Sequence, residues 1–269
     1  MRRILLLPMA CCWLLAAAQR DEVAQAERAF AQMAADSGTK KAFLHFLADS
    51  SFIFYKGDSY AAMPYWKSVP ERTTLLLWKP VYTGVASSGE IGFSTGPFEQ
   101  RLQPAGPIGE SGNYNSIWAK NKQGQWKVVI DISVSYKPSL FQQQWEQPVN
   151  GKLIPVTGKC DWQKTELDFI DQHKQKGNRA FLQYVTNNTW FNVQDRQPWH
   201  SVKEIEAGLA QIPAGLQFSI MGGGIAASGD LFYVYGLVTH NGNKENYLRV
   251  WGYQPDGWKL LLQVLKWPR

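Results

Sequence analysis

Polar and apolar positions alternate in two stretches of the chain, residues 113–132 and 246–265. The first reads NYNSIWAKNKQGQWKVVIDI and the second reads NYLRVWGYQPDGWKLLLQVL. Each has an aromatic strand, a turn that contains glycine, and a strand that starts with tryptophan and continues with apolar residues. Gly124 and Gly257 can adopt the positive φ that a tight turn requires, so each stretch predicts a β-hairpin. Because the two hairpins are so alike, the pattern indicates a tandem duplication of one domain.

Helical periodicity precedes the strands in both halves. Apolar side chains recur every three to four residues, with polar residues on the outer face, which is typical of amphipathic helices. A glycine follows the first of these segments, and Thr39 is placed to cap the next one. Residues 59–68 predict a short helix or turn that Pro64 breaks. The other predicted helices cover residues 21–37, 40–49, 165–178, 179–185 and 201–212.

The internal match extends beyond the hairpins. KKAFLHFLADSSFIF at residues 40–54 corresponds to NRAFLQYVTNNTWFN at residues 178–192, and TGVASSGEIGFSTG corresponds to GGIAASGDLFYVYG. The chain of 269 residues is long enough for two units that each bury a core. Proline, glycine and glutamine are dense between the units, which is typical of a linker. We therefore predict a first domain at residues 19–137, a linker at 138–161 and a second domain at 162–269.

The first residues have the pattern of a secretory signal peptide. Arg2 and Arg3 precede an apolar run, and three alanines ending at Ala18 supply the small residues of a cleavage site. The apolar run is shorter than the roughly 20 residues that a membrane-spanning helix needs. We therefore predict that residues 1–18 are removed and that the mature protein is exported, periplasmic or secreted, without stable insertion into the membrane.

Composition and charge argue against several classes of function. Apolar residues make up 45% of the chain and charged residues 19%, which is typical of a globular protein. The net charge of +6 falls to +4 without Arg2 and Arg3, and the remaining basic residues are scattered rather than gathered in a nucleic-acid-binding stripe. The four histidines lie on separate predicted elements without the spacing of metal ligands. We expect no nucleic-acid partner, no metal site and no cofactor.

The order of elements and two motifs carry a resemblance to a known superfamily. GEIGFSTGPFE and the hairpin NYNSIWAKNKQGQWKVVIDI resemble the nuclear-transport-factor-2-like superfamily, and within it the exported bacterial domains of unknown function. The resemblance covers residues 22–135 and, with fewer matches, residues 163–267. It implies an α+β fold of two tandem cones, in each of which a strongly bent antiparallel sheet wraps over two or three N-terminal helices. Members often pair through the open sheet face, which implies an intramolecular pseudo-dimer here.

Ketosteroid-isomerase-like and SnoaL-like enzymes of this superfamily use a cavity carboxylate as general base. The resemblance places that base near Tyr55 in the first half and near Asn192 in the second, and neither place holds a carboxylate. Two other acids are candidates for a catalytic role. Asp58 lies shortly after Tyr55, and Asp131 alternates with apolar residues on a strand. Asp131 is therefore either a cavity acid with a raised pKa or a solvent-facing residue.

Aromatic residues make up 13% of the chain and are the other candidates for a site. Aromatic rings line sites for apolar or planar ligands, and a few polar groups then orient the ligand. The same rings can equally form an ordinary core under a bent sheet. The candidate ligand-binding residues are Tyr55, Trp66, Trp78, Tyr114, Trp118, Tyr247, Arg249 and Trp251.

Two functional hypotheses follow from these patterns. The first is an exported, non-catalytic protein whose two cones bind a small apolar molecule or a protein partner. The second is a SnoaL-like isomerase, cyclase or hydrolase in which Asp58 or Asp131 is the catalytic residue. A deep carboxylate facing a second polar group favours the enzyme, whereas a cavity filled by aromatic side chains favours a structural or interaction role.

Overall fold

The computed structural model describes residues 9–71, 73–142, 149–150, 153–154, 156 and 160–268. Parts of the predicted signal peptide and of the predicted linker lie outside the described residues, namely residues 1–8, 143–148, 151–152, 155 and 157–159. In the described part, an apolar stretch of membrane-spanning length is found in none of the helices.

Both halves begin with helical segments, and one or two strands, a short helix and a run of antiparallel strands follow. The α-helices are α1 (Met9–Ser37), α2 (Thr39–Phe46), α3 (Ala62–Ser68), α4 (Trp162–Lys176) and α5 (Val202–Gly208), and 3₁₀-helical turns cover Pro138–Leu140, Gly177–Gln183 and Leu209–Gln211. The strands of the first half are β1 (Leu47–Tyr55), β2 (Asp58–Ala61), β3 (Leu75–Trp78), β4 (Tyr82–Val85), β5 (Ile91–Arg101), β6 (Ile108–Lys120) and β7 (Trp126–Tyr136). They are followed by β8 (Val149–Asn150), β9 (Trp190–Val193), β10 (Gln217–Ile225), β11 (Leu231–His240), β12 (Asn243–Gln254) and β13 (Gly257–Leu265).

Each half builds one sheet and lays helices against one face of it. The first sheet runs β2-β1-β7-β6-β5-β4-β8, with β3 also pairing with β5, and the second runs β10-β11-β12-β13-β9. In both sheets the strand after the helices, β1 or β9, adds parallel to the last strand of its half. The structure confirms the predicted α+β class with two tandem cones. The first cone comprises α1–α3 with β1–β7, and the second comprises α4 and α5 with β9–β13.

The hairpins predicted from the repeat are β6–β7 and β12–β13, and both pair antiparallel as expected. Gly124 has a φ of 75° and Gly257 a φ of 100°, in the left-handed region that glycine adopts without strain. These two hairpins form the centre of their sheets. Side chains on one face of each hairpin point at the helices, and those on the other face point at the opposite cone.

Three details of the first half differ from the sequence prediction. The second helix is shorter than predicted, because α2 ends at Phe46 and the chain continues directly into β1. Thr39 is itself helical, and the residue before it, Gly38, provides no side-chain cap. Pro64 does not break α3, since it lies in the first turn, where a missing N–H removes no helical hydrogen bond.

The second half also departs from prediction, because the segment predicted as a helix at residues 179–185 is largely 3₁₀-helical, from Gly177 to Gln183. This copy has one residue fewer between its glycine and the following alanine, Gly177 to Ala180, than the first copy has between Gly38 and Ala42. A 3₁₀ helix rises about 2.0 Å per residue against about 1.5 Å for an α-helix. The tighter helix therefore spans a similar distance with fewer residues.

The sheet faces turned away from the helices pack on each other and join the two cones. Their side chains form one apolar cluster to which both halves contribute. Burial of apolar surface is the dominant attraction across such a contact. The fully buried members of the cluster include Ile117, Val134, Leu231, Leu248, Val250, Leu261, Leu262 and Val264.

Matching turns from the two halves meet beside this cluster and exchange equivalent hydrogen bonds. The Ser88 N–H donates to Ser228 Oγ at 3.1 Å, and the Ser228 N–H donates to Ser88 Oγ at 3.0 Å. The acid of each turn, Glu90 or Asp230, accepts a hydrogen bond from a backbone N–H of the other turn. Reciprocal contacts of this kind are those of a local two-fold axis between the cones.

The interface departs from this symmetry at Asn192 on β9. Its amide Nδ2 is fully buried and donates to Thr95 Oγ1 at 2.9 Å and to Asn115 Oδ1 at 2.5 Å. At the symmetry-related place, Phe54 packs on Tyr235 with ring centroids 5.4 Å apart. One side of the axis is therefore held by polar contacts and the other by aromatic contacts.

We predict that Asn192→Ala lowers the free energy of unfolding by about 1–3 kcal/mol, because it removes two buried hydrogen bonds to the other cone. Urea denaturation of the purified variant measures the loss. Asn188→Ala, at an exposed position in the turn before β9, is the matched control and should change the free energy of unfolding little. Equal effects of the two substitutions would contradict a role for Asn192 in joining the cones.

Candidate functional site

A buried glutamate connects the first helix to the sheet in the first cone. Glu27 lies on α1 and is 0% exposed. Its Oε1 accepts a hydrogen bond from Trp78 Nε1 at 2.7 Å, and its Oε2 accepts one from Trp118 Nε1 at 2.8 Å. The two indoles come from β3 and β6, so the carboxyl group bridges helix and sheet. Donors are needed at this place, because a buried polar group without partners is strongly unfavourable.

A second carboxyl, that of Asp131 on β7, faces the same interior. Burial raises the pKa of Asp131 to about 7, although a hydrogen bond from Ser116 opposes the rise. Burial also raises the pKa of Glu27 to about 8, the charge of Asp131 adds to it, and the hydrogen bonds that Glu27 accepts oppose it. At neutral pH Glu27 therefore keeps its proton, and Asp131 is near the midpoint of its titration.

The two carboxyls lie in the wall of a cavity of about 100 Å³. Most of the lining is aromatic or apolar, and the polar side chains are concentrated on α1, β6 and β7. Ser133 is exposed to solvent, so the cavity opens beside it. The lining residues are Glu27, Phe30, Phe43, Leu76, Trp78, Phe98, Tyr114, Ser116, Asp131 and Ser133.

The second cone repeats the buried glutamate with different partners. Glu166 on α4 occupies the position that corresponds to the first-cone glutamate, and its Oε2 accepts a hydrogen bond from Trp251 Nε1 at 3.0 Å. Arg249 on β12 forms an ion pair with Glu166 Oε1, and both side chains are fully buried. Tyr247 OH donates to the same oxygen at 3.0 Å. The Nε of Arg249 donates to Gln263 Oε1 at 2.7 Å, which orients the guanidinium.

Aromatic rings surround the Arg249 guanidinium. Its Cζ lies 4.2 Å from the ring centroid of Phe169, 4.3 Å from that of Phe218 and 4.2 Å from that of Tyr247. A cation over an aromatic face is attracted by the ring quadrupole, and the attraction is larger where water is excluded. Arg249 is therefore held by one carboxylate and several rings in the interior of the cone.

The two cones have the same aromatic lining and differ at a cross-strand pair on the central hairpin. Ser116 stands opposite Asp131 in the first cone, and Arg249 stands opposite Gln263 in the second. The short serine leaves a volume that the arginine fills in the other copy. The matching aromatic residues are Phe30 with Phe169, Phe43 with Phe181, Trp78 with Phe218 and Tyr114 with Tyr247.

Several sequence-predicted residues meet in the first cone. Trp78 and Tyr114 line the cavity, and Trp118 contacts it indirectly as a donor to the buried glutamate. Trp66 is buried but lies one layer further away, where it stacks on Phe43 with centroids 4.0 Å apart. The sequence left two alternatives for Asp131, a cavity acid or a solvent-facing residue. In the structure its side chain lines the cavity.

Two sequence-predicted residues of the first half lie outside the cavity. Tyr55 is 61% exposed at the end of β1. Asp58 is exposed and forms an ion pair with Lys244 Nζ at 2.7 Å, across the two halves. The predicted residues of the second half, Tyr247, Arg249 and Trp251, do come together at its buried glutamate.

The sequence interpretation missed the two buried glutamates, Glu27 and Glu166. An acid within an amphipathic helix is usually on the wet face, so helical periodicity alone gives no reason to single it out. The repeat does contain a signal, because Glu-x-x-Phe occurs at residues 27–30 and again at residues 166–169. Residues three apart lie on one helix face, so this pattern places the acid beside a core phenylalanine.

A broader groove of about 400 Å³ lies between α1 and the turn of the β6–β7 hairpin. Its acid, Glu22, is already paired with Lys120 at 2.7 Å and accepts a hydrogen bond from Trp126 at 2.9 Å. The groove is open to solvent and its acid is already paired, so it offers less binding chemistry than the cavity. Throughout the described residues, His, Cys, Asp and Glu side chains form no group of three or more that could hold a metal ion.

We predict that the free energy of unfolding falls as the pH rises from about 4.5 to about 8, because folded Glu27 keeps a proton that the unfolded chain releases. A group whose folded pKa is raised favours the folded state below that pKa and loses this contribution above it. The expected change is on the order of a few kcal/mol. Glu27→Gln, which cannot ionise, should flatten the dependence in urea denaturation across this range. An unchanged slope would contradict the assignment, and Glu206→Gln on the exposed face of α5 is the control.

Comparisons with known proteins find similarity to solved structures only. No protein-family model matches the chain, and no curated protein matches it. An NTF-2-like protein of unknown function from Shewanella oneidensis is 16% identical, with 42% of this chain and 96% of that chain covered and a TM-score of 0.33. A putative ketosteroid isomerase from Parabacteroides distasonis is 15% identical, with 44% and 92% covered and a TM-score of 0.34. A cystatin-like domain of unknown function from Nostoc punctiforme is 15% identical, with 40% and 80% covered and a TM-score of 0.33.

Proposed function

We propose that this protein is an exported, non-catalytic binding protein whose first cone holds a small, largely apolar molecule. The observation that carries the proposal is the difference between the two copies. Both keep the buried glutamate and the aromatic lining, but one copy fills its interior with Arg249 while the other leaves a cavity. Export is inferred from the N-terminal pattern of a charged segment, an apolar run and small residues.

The energetics of the cavity support a binding role. A cavity of about 100 Å³ that stays unfilled costs about 2 kcal/mol relative to a packed interior. The second cone of the same chain avoids this loss of stability, because the long side chain of Arg249 occupies the equivalent volume. A cavity left open under these circumstances is consistent with an occupant that comes from outside the chain.

The chemistry of the lining indicates what the occupant contacts. Aromatic rings supply most of the wall, and they favour apolar or planar groups. Glu27, Asp131 and Tyr114 supply a small polar surface that can orient the occupant. The cavity opens beside Ser133, so the bound group can also be the end of a longer molecule.

We predict that small neutral aromatic compounds such as toluene and phenol raise the melting temperature of the purified protein. A ligand that binds only the folded state at a hundred times its Kd adds about 2.7 kcal/mol, which corresponds to several degrees in a chain of this size. Differential scanning fluorimetry measures the shift. The Ser116→Leu variant, whose larger side chain occupies the cavity, should show no shift.

Ser59→Leu, at an exposed position of β2, is the matched control and should respond as the unmodified protein does. A shift that persists in Ser116→Leu would place the binding elsewhere and contradict the proposal. The absence of a shift with every compound, whatever its charge, would favour the alternative that the cones recognise a protein partner.

A second candidate function is an enzyme of the SnoaL-like type, and one observation favours it. Burial raises the pKa of Glu27 to about 8 and that of Asp131 to about 7, and a general acid or base works best when its pKa is near the operating pH. Asp131 is the stronger candidate for the base, because it lies beside the cavity opening at Ser133. Asp58 is exposed and paired with Lys244, away from the cavity lining.

If the protein has a turnover, we predict that Asp131→Asn lowers kcat by about 10²–10⁴-fold, the usual contribution of a general base. Asp58→Asn is the control and should leave kcat unchanged, because its carboxylate does not reach the cavity. The measurement is the initial rate with any substrate that a chromogenic ester or ketosteroid panel reveals. Full activity of Asp131→Asn would exclude this residue as the base.

A further inference from the structure

The second cone holds a cation in its interior, and that cation belongs to the chain. The Arg249 guanidinium lies under the sheet with one ion pair, to Glu166, and one oriented hydrogen bond, to Gln263. Its remaining surroundings are aromatic faces at 4.2–4.3 Å from its Cζ. The interior of this fold can therefore accommodate a guanidinium when a carboxylate and rings face it together.

The first cone has the glutamate and the rings of this arrangement, but neither the cation nor its glutamine partner. Glu27 corresponds to Glu166, and the rings that surround the guanidinium have aromatic counterparts in the cavity lining. At the arginine position the chain has Ser116, which supplies no charge. Opposite it, the neutral Gln263 of the second cone is replaced by Asp131, which adds a carboxyl. Both differences change the charge of the interior in the same direction, toward negative.

We infer that the first cone binds a small organic cation, a guanidinium or alkylammonium group, between its two carboxyls and its aromatic wall. This inference rests on the proposed function, since it names the class of molecule that the cavity holds. The cationic group takes the place that Arg249 takes in the second cone. Its alkyl part lies toward the opening beside Ser133.

The charge and shape of the cavity select for this class. A cation gains from the carboxylate of Asp131 and from the faces of Trp78 and Tyr114, and cation–π attraction is largest for tryptophan. An anion meets the carboxylate of Asp131 and the negative faces of the rings, so it is repelled. A neutral molecule gains the apolar contacts alone. Among molecules of equal size, the cation should therefore bind most tightly.

Calorimetric titration of the purified protein with methylguanidinium and with N-methylurea tests the inference. The two compounds have the same number of non-hydrogen atoms and nearly the same planar shape, and they differ in charge. We expect methylguanidinium to bind about 10- to 100-fold more tightly, the range for a charge-assisted hydrogen bond in a buried place. Asp131→Asn should remove most of this preference, and Ser116→Arg/Asp131→Gln should abolish binding by reproducing the second cone.

The second cone supplies a positive control. Arg249→Ser removes the internal guanidinium, and millimolar methylguanidinium should restore part of the lost melting temperature, whereas N-methylurea should not. If Arg249→Ser does not fold, the titrations of the unmodified protein and of Asp131→Asn still decide the question. The inference would be overturned if methylguanidinium raises the melting temperature of Arg249→Ser but does not bind to the first cone.

The remaining outcomes separate this inference from the proposed function. Equal affinity for methylguanidinium and N-methylurea, or binding of toluene without binding of methylguanidinium, would overturn the cation inference and leave the first cone as an apolar binding site. No binding of cationic, neutral or anionic compounds would overturn both. A preference for the cation that survives Asp131→Asn and Ser116→Arg/Asp131→Gln would place the cation site outside this cavity and overturn the inference.

Discussion

A carboxyl group held by indole N–H groups joins helix to sheet in each cone. Glu27 accepts from Trp78 and Trp118, and Glu166 accepts from Trp251, so both helices are fixed in position and rotation by a buried polar contact. Apolar packing alone tolerates small rotations of a helix, whereas a hydrogen bond to a buried acid does not. Because each carboxyl sits at the centre of its cone, whatever else contacts it determines what the interior contains.

The two cones accommodate their buried glutamate in opposite ways. In the second cone the acid forms an ion pair with Arg249, and the desolvation of the pair is offset by their attraction, by Gln263 and by the surrounding rings. In the first cone no cation of the chain faces the acid among the lining residues, so burial raises the pKa of Glu27 to about 8 and the group stays neutral at neutral pH. The filled cone is well packed, and the other retains free volume with two titrating carboxyls.

The fold could be predicted from the sequence because both hairpins have the same three features. Polar and apolar residues alternate, a glycine lies in the turn, and a tryptophan begins the second strand. The sequence allowed the aromatic lining to be predicted in part, since Tyr114 and Tyr247 lie on strands whose alternation is clear and Trp78 ends a short apolar strand. It did not reveal the buried acids, because helical position alone does not show which polar residue the sheet covers. The 3₁₀ turn at Gly177–Gln183 coincides with a spacing one residue shorter than in the first copy, and helical periodicity does not distinguish a 3₁₀ turn from an α-helix there.

Fusion of the two cones in one chain is what permits this divergence. In a dimer of identical chains each substitution occurs in both copies, so an arginine that fills one interior fills the other as well. In the tandem protein, Arg249 can stabilise the second cone while Ser116 keeps the first cone open. The apolar cluster between the sheets couples the two, because it is built from residues of both halves. The packed second cone then helps to stabilise the first cone, whose open interior is less stable. Functional sites often lower the stability of a protein in this way, and a rigid scaffold compensates for the loss.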